Sequence, residues 1–378
     1  MKLAVAGGGT GGHLFPGLAV AELARQRGVA SEVVFFGAER GIEAWAVPKA
    51  GFELVAEKVH GIAGGGAVAA LRSVGEMLAA ARRARREIRR RGVDVVIGLG
   101  GYASAPAVLA ARSLAVPVVL LEQNRRPGIS NRVLGRLATR VCTSFESTAS
   151  SFPAGKVVCT GNPLRQGFAS RPPFAGRDLL LVFGGSAGAR SLNRAITAAL
   201  AALAADPASV ARMAGGRLPA VVHQVGKPFV DEVRAAYAAA GVAAEVTAFI
   251  DDMPSMYARA RLAVCRAGAT SLAELIATGT PSVLVPLATS AGDHQLENAR
   301  ELESAGAARV VLDDDQCARS LQRALAQLLP EDAALGLMAD RAAAMDRAAA
   351  RAGGLDRAGA TARVLDVVAS LAADRSRG

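Results

Sequence analysis

A glycine-rich turn occurs twice in the sequence, and this repeat constrains the fold more than any other feature. Val5–Gly11 and Val182–Gly188 align at an offset of 177 residues, and each follows a short apolar run and precedes a helical pattern. A strand, a glycine-rich turn and a helix open a Rossmann-type unit. Because such a unit starts twice, half a chain apart, the sequence predicts two tandem domains of this type. We expect the ligand site in a cleft between them.

Short apolar runs alternate with longer helical stretches along nearly the whole chain. This alternation predicts βαβ units and therefore an α/β fold with parallel sheets. The predicted strands are Leu3–Ala6, Val33–Phe36, Val93–Ile97, Val116–Leu121, Arg140–Thr143, Leu179–Phe183, Val221–Val225, Glu245–Ala248, Leu262–Cys265 and Ser282–Val285. The 378 residues suffice for two domains. We expect them over 1–163 and 164–345, followed by a segment over 346–378 that contains a last helix from about Leu355 to Ala373.

Positive charge is concentrated in the first half of the chain. Residues 1–165 contain 22 Lys and Arg against 11 Asp and Glu, whereas the remainder contains 22 of each, so the whole net charge of +11 lies in the first half. We therefore expect the first domain to meet anionic lipid, nucleic acid or pyrophosphate. The four cysteines are far apart and form no CxxC pair, which favours a reducing cytosol over a zinc site or disulfides. No signal peptide or transmembrane segment is predicted.

The first glycine-rich turn permits two interpretations. Gly7, Gly9 and Gly12 match the GxGxxG pattern of dinucleotide-binding proteins, but that pattern also requires an acid after the second strand, and Glu32 precedes that strand. The remaining interpretation is an anion held by backbone N–H groups and a helix N-terminus, with His13 directly behind the turn. His13 could equally be a structural or helix-capping residue.

Further polar turns follow other predicted strands. Gly98–Tyr102 lies at the carboxyl edge of the first sheet, where ligands bind in folds of this type. In the second domain, Cys265–Glu274 offers Gly268, Thr270 and Ser271 to phosphate, and Glu274 either binds ribose hydroxyls or only caps a helix. Asp293–Asn298 carries amide and carboxylate groups that suit sugar hydroxyls.

An apolar and basic helix is predicted in the first domain. Eight arginines lie within Leu71–Arg91, and an apolar face merges into this basic end. Such a helix is typical of binding to anionic lipid, although a solvated charged face is the common alternative. Nucleic acid is disfavoured because only 4% of the residues are aromatic and no stacking motif accompanies the charge. The candidate membrane residues are Leu71, Val74, Met77, Leu78, Arg82, Arg83 and Arg86.

Seven motifs occur together in a fixed order. They are Gly8–Ala19, Gly100–Tyr102, Glu122–Asn124, Gly161–Arg165, Gly184–Arg190, Arg266–Glu274 and Asp293–Gln295. This ensemble resembles the MurG family, the bacterial N-acetylglucosaminyltransferases of peptidoglycan synthesis, over about residues 3–310. The resemblance implies a GT-B fold in which the second domain holds most of the nucleotide sugar, the first domain holds the acceptor, and the last helix returns to the first domain.

The resemblance also implies a reaction and a location. The enzyme would move N-acetylglucosamine from UDP-GlcNAc to the MurNAc 4-hydroxyl of lipid I, with inversion, and form lipid II. It would need no cofactor or metal, would act at the cytoplasmic face of the plasma membrane as a peripheral protein, and could meet proteins of cell-wall synthesis or division.

Site residues are carried over from the same motifs. The donor set is Thr10, Gly11, Gly12, Asn124, Arg165, Ser186, Ile250, Ala269, Thr270, Ser271, Leu272, Ala273, Glu274 and Gln295. The acceptor pyrophosphate would meet Gly8, Gly9, Gly100 and Gly101. For the catalytic base His13 is the first candidate, with Tyr102 and Glu122 as rivals.

Two other classes of function stay open from the sequence. A GT-B transferase with another lipid or natural-product acceptor would keep the donor residues and differ in the two glycine turns of the first domain. A membrane-surface or polyanion-binding protein without catalysis would show no turnover.

Overall fold

The chain forms two compact units, each built on one parallel sheet. The computed structural model describes residues 1–57, 67–168, 171–288, 294–351 and 357–377. The first unit comprises Met1–Arg165 together with Leu355–Gly378, and the second comprises Gln166–Gly354.

The sheet of the first unit has seven strands, all parallel, in the order β3-β2-β1-β4-β5-β6-β7. In chain order the strands are β1 (Lys2–Ala6), β2 (Glu32–Ala38), β3 (Glu53–Glu57), β4 (Val95–Gly98), β5 (Val118–Glu122), β6 (Arg140–Thr143) and β7 (Val157–Cys159). The central strands β1, β4 and β5 are buried almost throughout because helices cover both faces of the sheet. This burial explains why they appear in the sequence as continuous apolar runs.

The helices of the first unit are α1 (Gly11–Gln26), α2 (Glu43–Lys49), α3 (Ala67–Arg91), α4 (Ala105–Ser113), α5 (Ile129–Leu134) and, from the end of the chain, α14 (Arg357–Arg377). The C-terminal helix packs on α1 and β4. Its Thr361 exchanges hydrogen bonds with the backbone of Leu164, and its Arg363 donates to the carbonyl of Thr160 at 3.0 Å. These bonds tie the end of the chain to the last residues of the first unit.

The sheet of the second unit has six parallel strands in the order β10-β9-β8-β11-β12-β13. The strands are β8 (Leu179–Phe183), β9 (Ala220–Gln224), β10 (Ala244–Thr247), β11 (Ala260–Cys265), β12 (Ser282–Leu284) and β13 (Ala308–Val310). The helices are α6 (Arg190–Ala204), α7 (Pro207–Ala211), α8 (Val230–Ala239), α9 (Met253–Arg259), α10 (Ala269–Thr278), α11 (His294–Ser304), α12 (Cys317–Leu328) and α13 (Asp332–Arg351).

The sequence repeat corresponds to the same topological position in both units. β1 and β8 are the first strand of their sheets, and each has the second strand on one side and the fourth on the other. This is the doubly wound order of Rossmann-type domains. The predicted α/β class with two parallel-sheet domains is confirmed.

The boundaries differ from those expected. The first unit ends at Arg165 rather than at residue 163, and the second continues to Gly354 rather than to residue 345. The second difference has a packing reason, because α13 runs to Arg351 as one helix and packs against α10 of the second unit. The last helix begins at Arg357 and continues to Arg377, beyond the predicted end at Ala373.

Candidate functional site

In the first unit, three adjacent strands end at one edge of the sheet and place their loops side by side. β1 leads into the loop Gly7–Thr10, β4 into Leu99–Gly101 and β5 into Gln123 and Asn124. The first two loops touch, since a Cβ built on Gly7 would lie 3.0 Å from the carbonyl oxygen of Gly100. The structure therefore brings the predicted glycine turns together.

Within the first loop, the structure assigns different surroundings to the predicted ligand residues. Gly8 is buried and Gly9 is exposed, with a φ of +82° that favours glycine. The N–H of Gly9 donates to the carboxylate of Glu43 at 2.9 Å, so this N–H is already engaged within the protein. This detail disagrees with the expectation that Gly9 offers its N–H to a pyrophosphate. Thr10 precedes α1 as an exposed N-cap whose side chain makes no capping bond.

The first turn of α1 carries Gly11, Gly12 and the candidate base. Gly11 is buried, Gly12 is exposed and His13 is half-buried. The Nδ1 atom of His13 lies 3.2 Å from Oε1 of the buried Gln123. Because an amide oxygen only accepts hydrogen bonds, Nδ1 is the donor in this contact, and in the neutral ring the lone pair is then on Nε2. A neutral imidazole held in this tautomer can accept a proton from a substrate hydroxyl.

The two rival bases occupy different environments. Glu122 is buried, and its Oε1 accepts from the backbone N–H and the side-chain amide of Asn124 at 2.9 and 3.1 Å. Its Oε2 accepts from the amide of Asn131 at 3.0 Å. With both oxygens engaged, Glu122 is arranged to orient Asn124 rather than to receive a proton. Tyr102 is exposed at the start of the short 3-10 helix that follows Gly101.

Arg165 is the last residue of the first unit. It is half-buried, and its guanidinium carbon lies 4.1 Å from the centre of the Phe15 ring on α1. A guanidinium stacked on an aromatic face keeps its N–H fork available at the ring edge. The stacking therefore holds the side chain of Arg165 against α1, the helix that also carries His13.

In the second unit, the glycine turn after β8 is held by the neighbouring strand. Gln224, at the end of β9, donates its amide to the carbonyl of Gly185 at 2.9 Å and accepts from the N–H of Ile250 at 3.2 Å. Gln224 is buried. One amide side chain thereby joins the turn that carries the half-buried Ser186 to the loop that carries Ile250. With its N–H engaged, the backbone group that Ile250 offers a base is its carbonyl.

A buried polar chain lies behind the same turn. His223 is bonded through Nδ1 to the hydroxyl of Tyr237 at 2.9 Å and through Nε2 to Oδ1 of Asn193 at 3.2 Å. Burial lowers the pKa of His223 to about 3, so the ring is neutral at physiological pH. Asn193 in turn donates to the carbonyl of Val225, which faces Gly188.

The N-terminus of α10 follows β11 at the carboxyl edge of the second sheet. Gly268 is its N-cap and makes no side-chain cap, and its first turn contains no acid. The backbone N–H groups at such an end attract anions. Ala269 and Ser271 are half-buried and Thr270 is buried. Leu272 and Ala273, also predicted as donor residues, have their side chains in the core.

Glu274 lies one turn further along α10 and is buried. Its Oε2 accepts from the hydroxyl of Tyr257 at 3.0 Å. Tyr257 packs edge-on against Phe183 at the end of β8, which fixes the position of its hydroxyl. Glu274 is therefore a held carboxylate near the edge of the sheet, as a ribose contact requires, and not an exposed helix cap.

Gln295 lies in the first turn of α11 and accepts from the N–H of Leu287 at 3.1 Å. Asp293 and the side chain of His294, which belong to the same motif, lie outside the described residues. Asn298 follows Gln295 after three residues and is buried, with no hydrogen-bond partner for either amide atom within the described part of the chain. A buried amide of this kind adds Asn298 to the candidate sugar contacts.

Sequence reasoning missed several residues that organise the two edges. Glu43, Asn131 and Gln224 each bond to a predicted ligand loop from another element. Arg266 is buried and pairs with Asp313 at 2.8 Å. The signal available for Arg266 was its place inside the motif that begins after β11, whereas the other three residues give no local pattern.

The predicted lipid-binding helix is α3, and its inner face differs from the expected one. The buried side chains fall at four-residue spacing within Ala80–Ile88. Met77 is half-buried, and the side chains of Leu71 and Val74 lie outside the described residues. The helix therefore packs through Ala80, Ala84 and Ile88 and leaves part of the predicted apolar face outside the core.

Leu78 is 51% exposed, and Arg82 and Arg86 follow it on the same face at helical spacing and are also exposed. Arg83 is different, because it donates to Glu57 at 2.7 Å and its charge is balanced there. The lipid contact of Arg83 stays a prediction, whereas Leu78 and the two exposed arginines form an apolar and basic surface.

Two other kinds of site are absent from the described residues. None of the helices there is both long and apolar enough to cross a membrane. In the same part of the chain, His, Cys, Asp and Glu form no group of three or more that could hold a metal ion.

Two parallel-sheet units, each with a glycine turn and polar loops at its carboxyl edge, are the architecture of the GT-B fold. The model of the glycosyltransferase family 28 N-terminal domain matches residues 3–143, and the model of its C-terminal domain matches residues 179–352. The chain therefore belongs to glycosyltransferase family 28, and within it to the MurG family, as the following relatives show.

A protein of Trichlorobacter lovleyi is 41% identical over 363 residues, which cover 90% of this chain and 93% of the relative. One of Myxococcus xanthus is 42% identical over 346 residues, with 90% and 88% covered. Both are named UDP-N-acetylglucosamine–N-acetylmuramyl-(pentapeptide) pyrophosphoryl-undecaprenol N-acetylglucosamine transferase.

Solved structures agree with this membership. The crystal structure of MurG from Acinetobacter baumannii matches with a TM-score of 0.68 and 32% identity, covering 97% of this chain and 98% of that one. A calicheamicin glycosyltransferase matches with a TM-score of 0.63 at 20% identity, covering 98% of both chains, and shares the fold.

Proposed function

We propose that this chain transfers N-acetylglucosamine from UDP-GlcNAc to the MurNAc 4-hydroxyl of lipid I and so forms lipid II in peptidoglycan synthesis. The observation that carries the proposal is the likeness to the named transferases, about 41% identity over 90% of the chain, which spans both units. The turns proposed to bind the acceptor lie in the first unit, and those proposed to bind most of the donor lie in the second. A likeness confined to one unit would therefore support only half of the reaction.

On the donor side, the second unit supplies groups that suit each part of UDP-GlcNAc. The N-terminus of α10 and the turn with Ser186 offer N–H and hydroxyl donors to the diphosphate, and Glu274 offers a carboxylate to the ribose hydroxyls. The Ile250 carbonyl suits the uracil ring, and Gln295 suits the hydroxyls of the sugar. The contributions of Asn124, Arg165 and Thr10–Gly12 to the donor stay predictions from the resemblance.

The reaction breaks the bond between C1 of GlcNAc and the UDP oxygen, and UDP leaves with the electron pair. The acceptor 4-hydroxyl attacks C1 from the opposite face, which inverts the anomeric centre. Nε2 of His13 takes the hydroxyl proton while Gln123 holds the other ring nitrogen, 3.2 Å away. Hydrogen-bond donors around the diphosphate stabilise the leaving charge, and we propose that they do so without a metal or cofactor.

The location follows from the acceptor, a lipid with an undecaprenyl chain. We propose that the exposed surface of Leu78, Arg82 and Arg86 on α3 lies against the anionic cytoplasmic leaflet as a peripheral contact. The polar groups of the lipid head would then meet Gly100 and Gly101.

The test is release of UDP from UDP-GlcNAc with a soluble lipid I analogue, in the presence and absence of EDTA. We expect release only with the MurNAc-pyrophosphoryl acceptor and no effect of EDTA. Release with an unrelated acceptor, or UDP binding without any release, would leave only the donor half of the proposal.

The role of His13 is tested in the same assay. His13→Ala should lower kcat at least 100-fold, while the Kd for UDP stays unchanged. Tyr102→Phe serves as the matched variant and should keep kcat within a few fold of wild type. A His13→Ala protein with kcat near that of wild type would assign the base elsewhere.

A further inference from the structure

A buried carboxylate lies beneath the first glycine loop and has no part in the steps above. Glu43 begins α2 and is fully buried. Its Oε2 accepts from the N–H of Gly9 at 2.9 Å, and its Oε1 accepts from the N–H of Ala38, at the end of β2, at 3.0 Å. Among the described residues no Lys, Arg or His forms an ion pair with it. Both oxygens are therefore committed to the backbone.

Three glycines enclose the side chain of Glu43. A Cβ built on Gly8 would lie 2.5 Å from the carboxyl carbon, one on Gly41 would lie 2.6 Å from Oε2, and one on Gly37 would lie 2.8 Å from Cγ. A Cβ at any of these three positions would force the Glu43 side chain to shift. The carboxylate is thus confined by the loop above it and by the chain that leaves β2.

Such an arrangement lowers the stability of the fold, so it calls for a second role. A buried carboxylate without a cation loses its hydration, and two N–H bonds offset only part of that loss. An apolar side chain at position 43 would avoid the cost but could not hold the N–H of Gly9. What the carboxylate provides is a bond across 34 residues of sequence to Gly9, whose φ is +82° and where a built Cβ would meet nothing within 4 Å among the described residues.

The conformation of this loop is transmitted to the residues around it. Gly9 directly precedes Thr10, the N-cap of α1, and His13 lies in the first turn of that helix. On its other side the loop contacts the second glycine turn, since a Cβ on Gly101 would lie 3.7 Å from the carbonyl oxygen of Gly8. A shift at Gly9 would therefore move the proposed base and both acceptor turns together.

We propose that Glu43 is a positioning residue that holds the Gly7–Thr10 loop in its acceptor-binding conformation before the substrate arrives. A loop held in advance loses less conformational entropy on binding. Because Glu43 bonds to Gly9, which is assigned to the acceptor, the effect on the acceptor should exceed any effect on the donor through Thr10–Gly12. This inference rests on the proposed function, in which the first unit binds lipid I.

The main test compares Glu43→Gln with wild type. The amide keeps the volume of the side chain but turns an NH₂ group toward one of the two backbone N–H groups, so one hydrogen bond is lost. We expect kcat/KM for the lipid I analogue to fall at least tenfold and KM for UDP-GlcNAc to change less than twofold. An unchanged kcat/KM for the acceptor, or an equal defect in both substrates, would overturn the inference.

Two further variants separate positioning from stability. Gly41→Ala pushes the carboxylate from outside the loop and should give the same acceptor-specific defect. Val47→Ala, a buried change one turn further along the same helix that leaves both hydrogen bonds of Glu43 in place, is the matched control and should lower the melting temperature without changing the ratio of the two substrate constants. If Val47→Ala gives the acceptor defect as well, the role of Glu43 is only structural.

Hydrogen exchange provides a measurement that does not depend on turnover. The amide of Gly9 should be protected in wild type and exchange at least tenfold faster in Glu43→Leu, which offers an acceptor to neither N–H group, while the amides of β1 remain protected. If wild type releases no UDP, the proposed function fails while this comparison still decides whether Glu43 holds the loop. Equal exchange of Gly9 in both proteins would refute the inference even if the enzyme is active.

Discussion

Gln224→Leu should weaken the binding of UDP without unfolding the protein. The side chain makes two hydrogen bonds, to the carbonyl of Gly185 at 2.9 Å and from the N–H of Ile250 at 3.2 Å. Leucine has a similar volume and makes neither bond. At about 1 kcal/mol for each bond, the two loops together lose about 2 kcal/mol of restraint. If that restraint keeps them in the UDP-binding shape, Kd for UDP rises roughly 30-fold.

The assay is titration calorimetry of UDP into the purified protein. Gln327→Leu is the matched control, because Gln327 lies in the same unit, is exposed and bonds only to Arg309 among the described residues. We expect the control to bind UDP like wild type. A Gln224→Leu protein that is folded by circular dichroism and binds UDP within twofold of wild type would refute the reasoning, since the two loops would then keep their shape without Gln224.

Three further outcomes are expected. The pKa of His223 is about 3 in the folded protein and 6.5 in the unfolded chain, so its contribution to the free energy of unfolding is present above about pH 6.5 and is lost as the pH is lowered. Between pH 6.5 and pH 5 the free energy of unfolding of wild type, measured in urea, should fall by about 2 kcal/mol. The free energy of His223→Gln should fall less over the same range. Gly188→Ala should destabilise the fold by about 3 kcal/mol or more, because the added Cβ would meet a backbone oxygen at 2.0 Å. Gly185→Ala, whose Cβ would have nothing within 4 Å, should cost about 1–2 kcal/mol. Thermal melts that rank the two variants in the opposite order would contradict the packing. The double change Arg82→Ala and Arg86→Ala should weaken sedimentation with anionic vesicles roughly 30-fold, at about 1 kcal/mol for each arginine, and leave neutral vesicles unaffected; equal loss on both would remove the electrostatic argument.

The sequence was sufficient to predict the central part of each sheet. The strands that end in the two glycine turns are buried on both faces, so their residues form apolar runs that propensity and pattern both indicate. The three strands that were missed, β3, β7 and β13, all lie at sheet edges. Edge strands are short or partly exposed, and β3 also has a charged residue at each end, the exposed Glu53 and the buried Glu57, so their apolar signal is weak.

The site residues also fall into two groups, those that could be predicted from the sequence and those that could not. Residues inside a local motif, such as Thr270 and Glu274, could be predicted because a strand, a turn and a helix N-terminus are neighbours in sequence. Glu43 and Gln224 could not, since their roles depend on which strand lies beside which. Glu43 is 34 residues from the loop that it holds, and Gln224 is 39 residues from Gly185. For Glu122 the motif was visible, but the choice between base and support required the positions of its hydrogen-bond partners.

The two units stabilise their glycine turns in the same way with different chemistry. In each unit the turn follows the first strand, and a buried side chain from the neighbouring second strand, or from the helix after it, bonds to the backbone of the turn. In the first unit a carboxylate accepts an N–H; in the second an amide donates to a C=O. A turn rich in glycine has little restraint of its own, so a fixed ligand-binding shape requires such a bond from outside. Glycine allows the turn to approach a substrate closely but leaves the backbone without restraint. Each unit therefore supplies that restraint with a hydrogen bond from a buried polar side chain.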